Sequence, residues 1–347
     1  MTNMQPLTII NDTHVGAVRS AGTTPLTAWQ LRQYALEEFE KLVDRAGSLV
    51  ILGDLFDTGH VPMADILRVW EILRRHCANG APLCLVQGNH DLEKTLTTLS
   101  SFQFLCKLLE AEFPANFTAV SEPQALYTGR TYVIPHLANQ DLFNEALANV
   151  PVCDHLLVHC NYDNKFAVNS DHSLNMSLDQ AVACKAKYII FAHEHQARTA
   201  LGGKVFVAGN QFPTSIADCL GNHTKYLTQL SGVPGATPVR IETWSAVGNY
   251  VEADWRQPNE TNHKFIRIVG EARAAEAAEV VSAISKFRNK SKALVITNAV
   301  QIEGAADGEQ IKISLEEVKS FDVLGALLEC LDEREQGVVK KLLGEAA

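Results

Sequence analysis

The chain has 347 residues, of which 46 % are apolar and 20 % charged, a composition typical of a globular protein with a sizeable core. Its 30 basic and 40 acidic residues give a formal net charge of −10, which argues against a protein that grips duplex DNA by itself. No apolar run approaches the roughly 20 residues of a membrane span, and the opening stretch MTNMQPLTII lacks the basic start of a signal peptide. The 8 cysteines contain no Cys-x-x-Cys pair and indicate free thiols. We therefore expect a soluble cytoplasmic protein.

Short apolar runs alternate with amphipathic stretches through the first two thirds of the chain. The predicted strands are Leu7–Ile10, Ser48–Leu52, Leu83–Gln87, His155–Val158, Tyr188–Ala192 and Lys204–Ala208. The predicted helices are Ala28–Arg45, Ala64–His76 and Leu99–Phe113. This alternation predicts a layered α/β fold in which active groups gather at the carboxyl ends of strands.

The pattern changes after a Gly- and Pro-rich segment at residues 231–238, which is either a hairpin loop or a domain edge. Further on we predict strands Lys264–Val269, Ala293–Thr297 and Gln310–Leu315 around a helix Ala272–Phe287, and then short helices Asp322–Glu335 and Val338–Leu343. One face of the first tail helix carries Leu324, Leu327, Leu328 and Leu331. We expect a catalytic domain at residues 1–247, a small α+β capping module at 248–315 and a helical tail at 316–347.

Polar residues suited to metal binding follow five consecutive predicted strands. In chain order they are Asp12 and His14, Asp54, Asn89 with His90 and Asp91, His159, and His193 with His195. Residues two apart on an extended backbone point the same way, so Asp12 and His14 can hold one cation together. A single motif of this kind is as well explained by a turn or by a structural histidine. Their coincidence at five strand ends is what predicts a metal site.

Within the third motif the expected roles differ from residue to residue. Asn89 offers a neutral oxygen to a cation, whereas His90 can give or take a proton. We expect Asp91 to hold His90 in place from behind. His90 and Asp91 are therefore the catalytic residues that the sequence predicts.

In this order, the motifs DTH, GDLFD, GNHD, His159 and HEH resemble the signature of the calcineurin-like metallophosphoesterases over residues 7–220. The resemblance implies a two-layered β-sandwich flanked by helices, with two divalent metal ions, Mn²⁺ or Mg²⁺. One metal would be held by Asp12, His14, Asp54 and His195, and the other by Asp54, Asn89, His159 and His193. His193 and His195 would thus face different metals, with Glu194 a structural residue between them. Ala192 and Cys160 stand where the family usually has glycine, and neither change removes a ligand.

Three further segments are similar to the SbcD-type DNA-repair nucleases. They are GDLFDTGHVP at residues 53–62, YVIPHLAN at 132–139 and VFVAGNQFPTSIAD at 205–218, in which Asn210 replaces a usual serine and His136 is expected to be structural. This resemblance implies an exonuclease or single-strand endonuclease that acts on DNA in the cytoplasm of a cell or phage host. Its partner would be an SbcC-like ABC-type ATPase docked on the C-terminal tail, with homodimerisation left open and no membrane association.

Two alternatives remain beside the nuclease. Thr58 and Asp91 depart from the GDxxDRG and GNHE motifs of the serine/threonine protein phosphatases, which sets that group aside. Small-molecule or cyclic-nucleotide phosphodiesterases also carry GNHD and are harder to exclude. A scaffold subunit that keeps the site without using it is the alternative of another class, and the complete ligand set argues against it.

Overall fold

The computed structural model describes residues 6–18, 25–93, 98–126, 130–164, 173–220, 224–258 and 262–303. The helices in these ranges are α1 (Pro25–Asp44), α2 (Met63–Ala78), α3 (Ser101–Glu112), α4 (Gln140–Ala148), α5 (Leu178–Ala183) and α6 (Ala277–Lys290). Within the same ranges, every helix is too short or too polar to cross a membrane.

The strands follow the apolar runs of the sequence. They are β1 (Leu7–Ile10), β2 (Ser48–Leu52), β3 (Leu83–Val86), β4 (Phe117–Val120), β5 (Gln124–Leu126), β6 (Thr131–Ile134), β7 (Cys153–His159), β8 (Asn161–Tyr162), β9 (Asn175–Met176), β10 (Ala186–Ala192), β11 (Arg198–Ala200), β12 (Val205–Val207), β13 (Thr224–Leu230), β14 (Val239–Ser245), β15 (Tyr250–Asp254), β16 (Phe265–Val269), β17 (Glu271–Arg273), β18 (Val295–Asn298) and β19 (Gln301–Glu303). The six strands predicted in the first two thirds are all present; β1 and β2 have the predicted bounds, and the ends of the others shift by at most two residues.

Two six-stranded sheets form the centre of the fold, with strand orders β14-β13-β1-β2-β3-β4 and β11-β12-β10-β7-β6-β5. Their facing surfaces bury one apolar cluster, to which Ile9 and Val50 contribute from the first sheet and Leu157 and Ile190 from the second. A layer of this kind excludes water from both sheets and holds them face to face. The expected β-sandwich flanked by helices is confirmed.

Helices cover the outer face of each sheet. Leu31, Ala35 and Phe39 recur along α1 at helical spacing and join the cluster that covers the first sheet. Phe143 of α4 and Ala181 of α5 belong to the cluster on the second sheet. Serine caps begin two of these helices, since α3 and α5 each have a complete Ser/Gln capping box.

The order of strands within each sheet positions the predicted motifs. β1, β2 and β3 are parallel neighbours, and so are β7 and β10 in the other sheet. The carboxyl ends of parallel neighbours lie at one edge, so the residues that follow these five strands come together. The segment at 231–238 joins the antiparallel strands β13 and β14, which makes it a hairpin loop and not a domain edge.

The later part of the chain contains a three-stranded parallel sheet in the order β15-β16-β18. Phe265 of β16 packs against Tyr34 of α1, with ring centroids 5.8 Å apart, and joins the same apolar cluster as that helix. By contact density the chain divides into two compact units, Met1–Gly270 with Val280–Val300 and Glu271–Glu279 with Gln301–Ala347. The three-domain division at residues 247 and 315 stays a prediction.

One predicted element differs from the structure. The expected helix Ala272–Phe287 begins instead at Ala277, because Glu271–Arg273 forms β17, paired in parallel with Gln301–Glu303. A short 3₁₀ turn at Ala274–Glu276 joins the two. The predicted strand Gln310–Leu315 and both tail helices lie outside the described residues.

Candidate metal centre

All seven predicted ligands lie at the carboxyl edge of the two sheets. Asp12 follows β1, Asp54 follows β2, and Asn89 comes three residues after β3. His159 is the last residue of β7, and it pairs in register with Ala192, the residue before His193. The fold therefore brings together residues separated by up to 183 positions in the chain, from Asp12 to His195.

The first group of potential ligands consists of Asp12, His14 and His195, whose ligand atoms lie within 4.8 Å of one another. The two imidazoles face each other with their Nε2 atoms 3.2 Å apart. The Asp12 carboxylate is fixed from the other side, because it accepts the backbone N–H of His193 at 2.9 Å. Two imidazole nitrogens and a carboxylate oxygen at this spacing suit a divalent transition-metal ion.

The second group consists of Asp54, His159 and His193, whose ligand atoms also lie within 4.8 Å of one another. Asn89 Oδ1 lies between the two histidines, 2.9 Å from His159 Nε2 and 3.1 Å from His193 Nδ1. The other nitrogen of His159 is 3.1 Å from the carbonyl oxygen of Leu52, which accepts its proton and leaves Nε2 to face the centre. His193 and His195 therefore fall into different groups, as the resemblance implies.

Asp54 belongs to the second group and also faces the first. Its Oδ2 is 3.4 Å from His159 Nε2 and 4.0 Å from His14 Nε2. Burial alone would raise the pKa of Asp54, but attraction to His159, His14 and His90 outweighs it and holds the pKa far below its usual value. Burial alone would lower the pKa of His159. The negative charge of Asp54 and the hydrogen bond between the two side chains outweigh it and raise that pKa to about 9. This negative centre favours positive charge, whether a proton or a metal ion.

His90 lies beside the first group, with its ring 4.8 Å from that of His14 and edge-on to it. Its Nδ1 is 2.6 Å from the carbonyl oxygen of Asp57, which can only accept a hydrogen bond, so Nδ1 carries a proton. The backbone N–H of His90 donates to Asp54 Oδ1 at 2.9 Å. The ring is half-buried and thus reachable from solvent.

The expected contact between Asp91 and His90 is corrected by the structure. The two oxygens of Asp91 accept the backbone N–H groups of Phe56 and Gly88, at 3.2 and 2.9 Å, and so hold the loops that carry Asp54 and Asn89. Burial and the charge of Asp54 raise the pKa of Asp91 to about 7, although the two N–H groups that it accepts act to lower it. It is the Asp57 carbonyl that orients His90.

Three supporting residues were not assigned a role from the sequence. The Asp57 carboxylate lies 3.3 Å from His14 Nδ1, and Asp218 Oδ1 lies 2.7 Å from His195 Nδ1. Gln211 accepts the backbone N–H of Asn11, whose side chain in turn donates to Asp12. Asp57 ends the motif GDLFD, and Asp218 ends the segment at 205–218. A carboxylate inside such a motif is the sequence signal from which a partner for a ligand histidine could have been predicted. Gln211 also stands inside a quoted motif, but an amide side chain whose partner is 200 residues away gives no such signal.

Backbone strain is concentrated at the site. Asp12, His14, Asp54 and His193 have φ values of 49°, 43°, 50° and 82°, in the left-handed region that side chains rarely adopt. Such conformations cost about 1–3 kcal/mol each and persist only where the surrounding structure enforces them. Four of the seven predicted ligands are thus held in strained positions, which is typical of functional sites.

Two glycines allow the strand ends to approach closely. A Cβ atom at Gly53 would lie 2.0 Å from His159 Nδ1, and one at Gly88 would lie 2.2 Å from Asp54 Oδ1. Any side chain at either position would displace a predicted ligand. The glycines of GDLFD and GNHD are therefore needed for the geometry of the centre.

Two residues beside the ligands have structural roles. Glu194 accepts the backbone N–H of Tyr162 at 2.7 Å and forms a bidentate ion pair with Arg198 at 2.6 and 3.0 Å. It lies outside both ligand groups, as expected. Cys160 is fully buried, and burial raises the pKa of its thiol well above the usual value, so it is an inert core residue.

The residues present fit two divalent cations. Three carboxylate and amide side chains and four imidazoles converge at the predicted positions, and they divide into two groups joined by Asp54. Such oxygen and nitrogen donors suit manganese, iron or zinc better than magnesium, which prefers oxygen alone, and the donor set does not select one of the three.

A family comparison agrees with this site. The model of the calcineurin-like phosphoesterases matches residues 5–197, more than half of the chain and a segment that contains all seven predicted ligands. The chain belongs to the calcineurin-like phosphoesterase family. No curated protein sequence matches it.

Solved structures with a similar arrangement are distant in sequence. A Thermus thermophilus protein is 14 % identical with a TM-score of 0.38, and the match covers 64 % of this chain and 93 % of that one. An archaeal phosphodiesterase is 11 % identical with a TM-score of 0.33, over 68 % and 99 % of the two chains. A dimetal phosphatase from Danio rerio is 11 % identical with a TM-score of 0.35, over 70 % and 99 %. The family assignment therefore rests on the sequence match.

Proposed function

We propose that this phosphoesterase is a Mn²⁺-dependent DNA nuclease, an exonuclease or single-strand endonuclease, that works with an ABC-type ATPase in DNA repair, recombination or phage DNA metabolism. The observation that supports phosphodiester hydrolysis is the pair of ligand groups that meet at Asp54, with His90 beside them. The choice of DNA is supported by the three segments similar to SbcD-type nucleases.

The roles of the chain's own residues follow from the distances. Two divalent cations, held by the two groups, would neutralise charge on the phosphoryl oxygens and lower the pKa of an attacking water. His90 stands where it can protonate the departing sugar oxygen. The Asp57 carbonyl accepts the proton on His90 Nδ1, so Nε2 is the atom left to donate a proton to the leaving oxygen. Asp54 fixes the His90 backbone and so links the position of this acid to the metal groups.

The negative net charge of the chain supports the proposal of a DNA-binding partner. A chain with a net charge of −10 repels the phosphates of duplex DNA overall, so we propose that productive binding uses basic groups from a partner. We propose that an SbcC-like ATPase supplies them and docks on residues 316–347, where the sequence places an apolar leucine stripe.

The same charge also favours the second candidate, a phosphodiesterase of small molecules or cyclic nucleotides. A small substrate carries one or two negative charges and needs no extended basic surface, because the bound cations balance them. The two candidates share the metal centre and differ in the size of the substrate.

The test uses the full-length chain loaded with Mn²⁺. We expect it to cleave bis-p-nitrophenyl phosphate and also to shorten a labelled oligonucleotide. The control is His60→Asn, a change at an exposed surface histidine, which should cleave both substrates as the wild type does. Cleavage of the small ester without any action on single- or double-stranded DNA, alone or with the ATPase, would favour the small-molecule candidate. A metal-loaded chain that hydrolyses neither would leave only the scaffold role.

A separate experiment concerns the partner. Deletion of residues 316–347 should abolish co-purification with the ATPase and any ATP stimulation of duplex cleavage, while hydrolysis of bis-p-nitrophenyl phosphate is retained. A truncated chain that still binds the ATPase normally would remove the tail from the interface. One that melts at a much lower temperature would show instead that the leucine stripe packs within the chain.

A further inference from the structure

A groove with a volume of about 570 Å³ opens beside the second ligand group. It is bounded by Gln87 and Leu92 on the loop after β3, by Tyr132 on β6, by His136 and Leu137 beyond that strand, and by α4. Its volume lies within the about 300–1,000 Å³ typical of small-molecule sites. Another cavity, of about 460 Å³, lies at the opposite ends of the strands beside Leu7 and Ser48 and is remote from the centre.

The groove is connected to the metal centre through His136. The ring of His136 lies 6.3 Å from that of His159 and edge-on to it. Its backbone N–H donates to the carbonyl oxygen of Gln87 at 2.9 Å, which joins the β6 loop to the segment that continues into Asn89. A group attached to a phosphate at the centre would pass the His136 ring on its way into the groove.

The walls of the groove suit a flat, uncharged ring. Tyr132 and Leu137 are half-buried, and Leu142 of α4, which also lines the groove, exposes 46 % of its surface. The rim carries two exposed carboxylates, Glu122 and Glu145, which would repel a second phosphate. An aromatic and apolar wall with polar groups at the rim is the environment in which nucleobases stack.

We propose that this groove is a nucleobase subsite, which binds the base of the nucleoside attached to the scissile phosphate. The proposal rests on the proposed function, since a phosphodiester must lie at the metal centre for its base to reach the groove. Because the carboxylates at the rim repel a second phosphate, the subsite takes a terminal nucleoside or a nucleotide ester, which favours the exonuclease of the proposed function over the endonuclease.

The test compares two esters with the same leaving group, thymidine 5′-(p-nitrophenyl phosphate) and methyl p-nitrophenyl phosphate. The substitution Leu142→Glu places a charge in the groove, and Leu178→Glu is the matched control, because Leu178 is 41 % exposed on α5 and lies outside the groove. We expect the wild type to prefer the thymidine ester by about tenfold or more in kcat/KM. Leu142→Glu should remove most of that preference and leave the methyl ester and the melting temperature unchanged.

Binding of the uncharged nucleoside gives a readout that does not depend on hydrolysis. Saturation-transfer NMR should show thymidine contacting the wild type and Leu178→Glu, with the signal lost in Leu142→Glu. Equal preference for the two esters in the wild type, or an unchanged preference in Leu142→Glu, would overturn the subsite. If neither ester is hydrolysed, the proposed function fails, and the NMR comparison still decides whether the groove binds the base.

Discussion

The imidazole of His195 is held from behind by a buried carboxylate. Asp218 Oδ2 accepts the backbone N–H groups of Thr214 and Ser215 and the Ser215 hydroxyl, at 2.9–3.0 Å, while Oδ1 faces His195 Nδ1 at 2.7 Å. Since a carboxylate can only accept, Nδ1 carries the proton, and the lone pair of Nε2 is turned toward His14. Asp218 is thus a positioning residue for a predicted metal ligand.

Replacement of Asp218 by Asn tests this role with little change in shape. The loop N–H groups require an oxygen, so the amide NH₂ must face His195 Nδ1, which moves the ring proton to Nε2 and blocks the ligand atom. We expect Mn²⁺ affinity, measured by calorimetry, to fall about 10–100-fold. Asp141→Asn, at an exposed carboxylate of α4, is the control, and unchanged affinity in Asp218→Asn would contradict the role.

His90 allows chemistry to be separated from metal binding. The His90→Asn variant should keep its bound Mn²⁺, because His90 is not among the predicted ligands, yet hydrolyse phosphodiesters about 10²–10⁴-fold more slowly. Elemental analysis of the metal and steady-state rates are measured on the same sample. If the metal is lost with the activity, His90 belongs among the ligands and its role as an acid is wrong.

At the scale of secondary structure, the chemistry of the site was predictable because it lies at strand ends. β1, β2, β7 and β10 each contain an apolar run, namely Ile9–Ile10, Leu49–Leu52, Leu156–Val158 and Tyr188–Ala192, and an Asp or His follows each run within two residues, a pattern that is visible in the sequence alone. Parallel pairing then carries the motifs to one edge. The assignment of each histidine to one metal came from the family resemblance, not from the spacing.

Contacts between distant segments could not be predicted in this way. The helix expected at Ala272 begins five residues later, because Glu271–Arg273 finds a strand partner at Gln301–Glu303 that no local pattern announces. Asp91 likewise bonds to the backbone of Phe56, 35 residues away, and not to its neighbour His90. Tertiary hydrogen bonds thus overrode both local predictions.

The close approach of β2 to β7 gives a prediction at this scale. Gly53 and Gly80 have nearly the same φ, 81° and 77°, but a Cβ at Gly53 would meet His159, whereas none of the described atoms lies within 4 Å of one at Gly80. Alanine at either position bears the same backbone strain, so the difference isolates the clash. We expect Gly53→Ala to lose bound metal and to unfold at lower denaturant than Gly80→Ala. Equal metal content and equal stability of the two variants would show that Gly53 is needed only for its positive φ angle and not for the close approach of His159.

The whole molecule is acidic, and this limits how it can meet DNA. With a net charge of −10, we expect the chain alone to bind duplex DNA more weakly than about 10⁻⁶ M near physiological salt. Fluorescence anisotropy against salt concentration measures both the affinity and the number of phosphates contacted. Nanomolar binding by the chain alone would mean that a local basic surface outweighs the net charge and that the partner is not needed for affinity.

Seven side chains from five strand ends are predicted to form one centre for two metal ions, joined by Asp54. The most direct test is the number of Mn²⁺ ions bound per chain, measured by elemental analysis after loading and gel filtration, in the wild type and in Asp54→Asn. We predict two ions in the wild type, fewer than two in Asp54→Asn, and no phosphodiester hydrolysis by the variant. A wild type that binds one ion or none, or an Asp54→Asn variant with full metal and near wild-type rate, would show that Asp54 does not join two metal sites.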